Sequence, residues 1–415
     1  MSDVVVIGAG LAGLAATVRL QEQGREVTLV TKGIGGLQLG QGTVDVLGYS
    51  PELVTEPLAA VDAYRAEHPD HPYGHFRGSE VGDALAWLVD TVGEELLVGD
   101  GQRNFRLPTA VGALRPTALA QPSMVAGEPA DGRNYVFVGL RRLKDFYPDL
   151  VAANLARQTT ASGAPIHARA VHVDLEVREG EADTSGLNFA RALDRPEVRQ
   201  QLCALVAPLL EDGDIVGFPA VLGVEDAGAW RDIAARLGHD VFEVPLPPPS
   251  VPGMRLNERL TRLVKSRSRL IVGSRVLGYE AEDGHVVSVT IKSAGHHRQL
   301  RADEFVLATG GFESGALAMD SYGTVTETTF GLPLVGTGGE LVHADYWGTE
   351  QPLFRVGVAV DEAMRPLDED GTPVLDNLHA VGGLLAGATR WREKSGDAIA
   401  LVSALRAADS ILGSK

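Results

Sequence analysis

The segment Gly8-Ala9-Gly10-Leu11-Ala12-Gly13 has a spacing that lets a backbone cradle a phosphate. The first glycine permits a tight turn, the second lets the chain approach the anion, and the third lets a helix pack closely on a strand. The free N–H groups at the helix start, with the helix dipole, attract negative charge. Two further glycine pairs close apolar runs. Phe305–Ala308 ends in Thr309-Gly310-Gly311, and Asn377–Val381 ends in Gly382-Gly383. The Thr-Gly-Gly turn brings backbone against something flat or anionic. Thr31 and Lys32 stand where a ribose-binding carboxylate belongs, about 20 residues beyond a phosphate loop. Neither accepts hydrogen bonds as a carboxylate does. Lys32 is either a phosphate partner or a solvated charge, and Gly33 and Gly42 follow it in a glycine-rich loop.

Other side chains could act on a substrate. His343 follows Gly338-Gly339-Glu340 and is either a general base or a hydrogen-bonded structural residue. Arg355, Arg390 and Arg392 are either a bidentate clamp for a phosphate or salt-bridged surface residues. His296-His297 lacks a matched ligand set and reads as a loop. Asp361-Glu362 reads as turn chemistry, since adjacent side chains diverge on a strand.

The elements that must position these residues are legible around them. Val4–Gly8 is an unbroken apolar run, expected of a strand buried on both faces of a parallel sheet. Leu11, Leu14 and Val18 share one helical face, Gly24 suits the residue after that helix, and Glu26–Thr31 reads as the next strand. Residues 51–250 read as an insertion, with strands at Tyr135–Val138, Ile166–Val173, Asp214–Phe218 and Val241–Val244. Helices are expected at Leu150–Arg157 and Trp230–Leu237. The run Pro245-Leu246-Pro247-Pro248-Pro249 marks the expected domain boundary. Beyond it come a helix at Leu256–Val264, short strands from Leu270 to Ile291 turned at Asp283-Gly284, and a strand at Phe305–Thr309. A turn-rich second insertion covers 321–372, Leu378–Val381 is the last strand, and Ala398–Leu412 is a terminal helix approached from Gly396. The expected organisation is thus 1–50 with 251–320 and 373–415 as the ligand-binding domain, 51–250 as a substrate or partner domain, and 321–372 as a smaller insertion.

Composition bounds the function. The 415 residues carry 37 Lys+Arg against 55 Asp+Glu, a net charge of −18, which disfavours nucleic-acid binding because phosphate contacts need surplus cations. Cys203 is the one cysteine, so the chain alone makes no internal disulfide and no cysteine-ligated iron–sulfur cluster. That count fits a reducing cytoplasm. No run approaches the length of a membrane span, and Asp3 leads straight into Val4–Ile7, which reads as a strand and not a leader.

Three glycine motifs in this order resemble flavoproteins of two-dinucleotide-binding-domain architecture, including the Ala308-Thr309-Gly310 motif. The resemblance sharpens on Val30-Thr31-Lys32-Gly33, Pro247-Pro248-Pro249-Ser250, Gly357-Val358, Asp361-Glu362, Arg365-Pro366 and Asn377–Gly387. On these the chain resembles, over nearly its full length, the B-subunit family of anaerobic glycerol-3-phosphate dehydrogenase, similar in fold to fumarate reductase and succinate dehydrogenase flavoproteins. The resemblance implies an α/β fold with a Rossmann-like parallel sheet and a large inserted α/β domain. It implies FMN, with FAD the alternative, held by Gly8, Gly10, Leu11, Ala12, Gly13, Lys32, Gly33, Gly42, Thr309, Gly310, Gly311, Gly382, Gly383 and Gly396. It implies oxidation of sn-glycerol 3-phosphate to glycerone phosphate, with electrons passing to quinone and then fumarate or nitrate. Its implied partners are a catalytic flavoprotein (the A-subunit) with an iron–sulfur protein (the C-subunit), which would bring a cytoplasmic chain to the inner membrane face. Two alternatives stay open: a flavin relay or assembly subunit without its own substrate site, and a stand-alone flavin reductase of a small acid. One departure is Arg390-Trp391-Arg392-Glu393-Lys394-Ser395-Gly396-Asp397, where the family is richer in glycine.

Overall fold

The computed structural model describes residues 2–293, 295–345 and 348–413. The chain divides into two compact units. The first is Met1–Gly36, Asp45–Leu88 and Arg259–Lys415, and the second is Leu37–Val44 and Val89–Glu258.

The first unit is built on a five-stranded sheet in the order Leu378–Ala380, Glu304–Leu307, Val4–Ile7, Val27–Thr31, Arg269–Val272. Every pairing in it is parallel, as the α/β expectation requires. Val4–Ile7 and Val27–Thr31 are buried at every position, which suits unbroken apolar runs covered on both faces. The helix Leu11–Glu22 joins them and packs on the terminal helix Gly396–Gly413. A three-stranded antiparallel sheet, Arg275–Glu282, His285–Ser293 and His296–Arg301, belongs to the same unit. Its first hairpin turns at Asp283-Gly284, both with positive φ, where Glu282 pairs with His285.

His296 and His297, expected in a loop, begin the third strand of that sheet and face solvent. Cross-strand pairing with Ser293 and Lys292 overrides their weak strand preference.

The second unit has its own parallel sheet, ordered His167–Val173, Asn134–Leu140, Asp214–Pro219, Asp240–Val244. Its core gathers Tyr135, Phe137, Phe218 and Phe242, with Phe242 edge-on to Phe137 at 5.7 Å between centroids. The helix expected at Leu256–Val264 begins earlier, at Val251, because Pro252 is tolerated in a first helical turn. Cys203 is buried in this unit, and burial pushes its thiol up to about 11, so it holds no thiolate near neutrality.

Candidate functional site

Three adjacent strands of the first sheet end side by side. Ile7 pairs with Leu307, and Leu307 with Ala380. The loops Gly8–Gly13, Ala308–Gly311 and Val381–Gly383 therefore leave the same carboxyl edge, where open parallel sheets hold their ligands. Main-chain bonds lock the exits: Gly8 N donates to Val30 O at 2.8 Å, Ala308 N to Ile7 O at 2.8 Å, and Val381 N to Leu307 O at 3.0 Å.

The three glycines of the first loop have different roles. Gly8 sits at φ +112° with the Ala308 carbonyl where a side chain would start. A Cβ on Gly13 would collide with the Gly8 carbonyl. Those two glycines serve close packing. A Cβ on Gly10 would meet nothing within 4 Å. Gly10 is also the N-cap of the twelve-residue helix Leu11–Glu22, which has no side-chain cap and no acid in its first turn. The helix thus presents uncapped amides to open space, the arrangement an anion fills.

The other loops close around it. A Cβ on Gly382 would lie 3.0 Å from the Ala12 Cβ, and one on Gly383 would lie 3.3 Å from the Gly310 Cα. Thr309 Oγ1 is buried without a hydrogen-bond partner among the described residues. A buried hydroxyl left unpaired is costly unless a bound group completes it. Open space at Gly10, uncapped helix amides and the orphaned Thr309 hydroxyl together fit a phosphate-bearing, flat ligand. Gly35 turns back on Ala9 and Gly10, bringing the Lys32–Gly36 loop beside the first loop. Thr31 Oγ1 donates to Gly33 O at 2.5 Å, so the strand end closes on itself, while Lys32 and Gly33 stay exposed. Gly42 lies in the second unit, packed on the backbone of Pro252.

Of the three candidate catalytic residues, His343 lies in a loop, Arg355 ends the 3-10 turn Pro352–Arg355, and Arg392 lies in the helical turn Arg390–Glu393. His343 is half-buried. Thr349 Oγ1 and the Glu350 carbonyl stand 3.2 Å from its Nε2, and Gln351 Nε2 stands 3.2 Å from its Nδ1. Arg355 holds Glu350 Oε2 through Nε at 3.1 Å and Nη2 at 2.8 Å, and Arg392 Nη1 donates to Gly348 O at 3.3 Å. Thr389 Oγ1 donates to the same Glu350 oxygen at 2.9 Å. Segments 348–355 and 389–392 are thereby tied together.

The arginine that reaches the glycine loops is Arg390. A Cβ on Gly311 would lie 2.9 Å from its Nη2, and one on Gly383 would run into its guanidinium. Its aliphatic stem covers Gly396. Its ion pair among the described residues is loose, 3.6 Å to the exposed Glu313.

Beneath Arg390 lies a cluster with no signal in the sequence. Glu393 is 5% exposed. Its Oε1 accepts from Thr389 N at 2.9 Å and Tyr64 OH at 3.4 Å, and its Oε2 accepts from Ser395 Oγ at 2.8 Å and His71 Nε2 at 3.1 Å. His71 Nδ1 accepts from Tyr73 N at 3.1 Å, which leaves Nε2 to donate to Glu393. Burial alone would raise the Glu393 carboxyl, but the hydrogen bond and electrostatic pull of His71, with the Thr389 and Ser395 donors, outweigh it and hold the group below the usual carboxylate range. Burial, then the Glu393 charge, pushes the Tyr64 and Tyr73 phenols well up. His71 and Glu393 are 322 residues apart in the chain, so no spacing pattern could pair them.

The FAD binding domain family matches residues 3–399. A protein of Halobacterium salinarum, named as a probable B-subunit of anaerobic glycerol-3-phosphate dehydrogenase, is 33% identical over 97% of this chain and 96% of its own length. A Yersinia pestis protein, named as the B-subunit of anaerobic glycerol-3-phosphate dehydrogenase, is 30% identical over 99% of this chain and 98% of its own. The solved open conformation of a flavocytochrome c3 fumarate reductase is similar over 99% of this chain and 78% of its own, at 12% identity and a TM-score of 0.46.

Proposed function

The chain belongs to the FAD binding domain family and to the B-subunit family of anaerobic glycerol-3-phosphate dehydrogenase, and from that premise we propose that it is a flavin-dependent subunit of an oxidoreductase acting on sn-glycerol 3-phosphate. The observation that carries the proposal is the convergence of three glycine loops on one sheet edge, with open space at Gly10 and an unpaired Thr309 hydroxyl. Gly8, Gly10, Leu11, Ala12 and Gly13 would hold the flavin phosphate on helix amides. Thr309, Gly310, Gly311, Gly382, Gly383 and Gly396 would keep bulk away from the remainder, and Lys32 would neutralise charge at the rim. A bound flavin would supply the acceptor for hydride from C2 of glycerol 3-phosphate, whose oxidation product is glycerone phosphate.

FMN is the favoured flavin. The second strand ends in Thr31 bonded to Gly33 and offers no carboxylate to an adenosine ribose. FAD, the flavin in the family's description, is the alternative. Arg355 and Arg392 are the proposed partners of the substrate phosphate. The Glu350 carbonyl takes the Nε2–H of His343, so the ring would have to release Gln351 from Nδ1 before it could take the hydroxyl proton. Electrons would leave through the iron–sulfur C-subunit, with the flavoprotein A-subunit completing the complex, and with quinone as acceptor. No described helix is long and apolar enough to cross a membrane, so contact with the inner membrane face would come through those partners.

The test is flavin bleaching in the purified chain, alone and with its co-expressed partners, on anaerobic addition of sn-glycerol 3-phosphate. Bleaching in the chain alone is the expected result. Bleaching only with partners would favour the relay reading, in which this chain lacks its own substrate site.

A further inference from the structure

We propose that Arg390 is the cation presented to the flavin from between the second and third glycine loops, and that the buried Glu393–His71 pair is the positioning device that aims it. This rests on the flavin reading above. The placement of Arg390 follows from the space it takes: its guanidinium occupies the volume where a side chain on Gly311 or Gly383 would stand. Two glycines are needed there because the arginine lies between their turns. A guanidinium whose ion pair is a 3.6 Å contact to an exposed carboxylate keeps donors for a further acceptor.

The aiming follows from what Glu393 ties together. Arg390 and Glu393 are the ends of one four-residue helical turn, Arg390–Glu393, closed by Lys394 at φ +54° and by Ser395 N donating to Arg390 O at 3.3 Å. The Glu393 carboxylate bonds both flanks of that turn, Thr389 N on one side and Ser395 Oγ on the other. Its carbonyl receives Gly48 N at 2.8 Å and Tyr49 N at 3.1 Å. His71 and Tyr64 then anchor the carboxylate to the segment around Pro57–His75. The turn is therefore fixed from below through both the side chain and the main chain of Glu393, while Arg390 projects above it. A buried carboxylate is costly unless its oxygens are fully hydrogen-bonded, as those of Glu393 are. A fully satisfied carboxylate at the base of a single short turn rigidifies that turn.

Cationic charge beside a flavin stabilises the negative charge that reduction adds to the ring. The experiment measures the midpoint potential and flavin dissociation constant of the full-length chain and of Arg390→Met, Arg390→Lys, Glu393→Gln and the Arg390→Met/Glu393→Gln pair. Arg390→Met should weaken binding of reduced relative to oxidised flavin at least tenfold, a fall in potential of about 30 mV for two electrons. Arg390→Lys should recover part of it. Glu393→Gln should shift the potential in the same direction, and the double variant should fall short of the sum, since both changes remove one cation from one place. Arg390 is partly exposed and outside the core, so its variants fold whatever Glu393→Gln does. An unchanged potential in Arg390→Met overturns the proposal. A lowered melting temperature in Glu393→Gln with an unchanged potential overturns the positioning role. If the wild-type chain binds no flavin, the functional reading itself has failed, and this outcome is distinct from the other two.

Discussion

Replacing Gly10 with valine separates ligand loss from fold loss. A Cβ at Gly10 meets nothing within 4 Å, and the backbone there is extended at φ −75°, ψ −176°, which valine adopts freely. The cost to the free chain is confined to a poorer N-cap, about 1 kcal/mol at most. The cost to the ligand is larger, because the isopropyl group would fill the space through which a phosphate reaches the helix amides. Losing two charge-assisted hydrogen bonds at about 1.5–3 kcal/mol each removes about 3–6 kcal/mol. At about 1.4 kcal/mol per decade, that is on the order of a hundredfold to ten-thousandfold in dissociation constant. Gly13→Ala is the opposite case. Its Cβ would strike the Gly8 carbonyl, so the free chain should lose about 1–3 kcal/mol of stability through overpacking. Fluorescence titration of the apo chain with flavin, beside chemical denaturation without it, reads both quantities. Gly10→Val retaining wild-type flavin affinity, or losing as much apo stability as Gly13→Ala, would refute the reasoning.

Thr31→Glu should raise FAD affinity relative to FMN about tenfold to a hundredfold, as one aligned charged hydrogen bond of roughly 1.5–3 kcal/mol would, read by competition titration; a fixed ratio would mean that adenosine does not reach this strand end. Glu393 should contribute to the acid limb of stability. Its folded carboxyl lies below the ordinary range, so its contribution is full above the unfolded value of about 4.3 and fades as pH falls through the folded one. Denaturation of Glu393→Gln should therefore show less stability than wild type at neutral pH and a gap that narrows in acid; a gap constant with pH would rule out an ionised Glu393. The purified chain should stay unbound in flotation with anionic vesicles, since a net charge of −18 is repelled by such lipids, and should float when co-expressed partners are present. Flotation of the chain alone would count against a partner-borne membrane contact.

The elements nearest the glycine loops are legible in the sequence because their signals are local. Val4–Ile7 is a solid apolar run, the glycine spacing of Gly8–Gly13 sits between strand and helix, and Asp283-Gly284 is a two-residue turn. The second unit's strands can be read from short apolar runs, each observed within two residues of its expected bounds. What stays hidden is long-range. Nothing in the segment Arg390–Asp397 separates Arg390, against the glycines, from Arg392, on the Gly348 carbonyl. That distinction arises from one helical turn fixed by His71 and Tyr64, far away in the chain. His296-His297 reads as a loop for the same reason: pairing with Ser293 and Lys292 makes a strand that polar residues do not announce.

Whether the three converging glycine loops hold a flavin is tested most directly by mass spectrometry of the small molecule that the chain releases when it is purified natively from its host and then unfolded. The expected result is a flavin equimolar with the chain, with the mass of FMN. Release of a nicotinamide dinucleotide, or of no flavin from a folded and fully assembled protein, would contradict it.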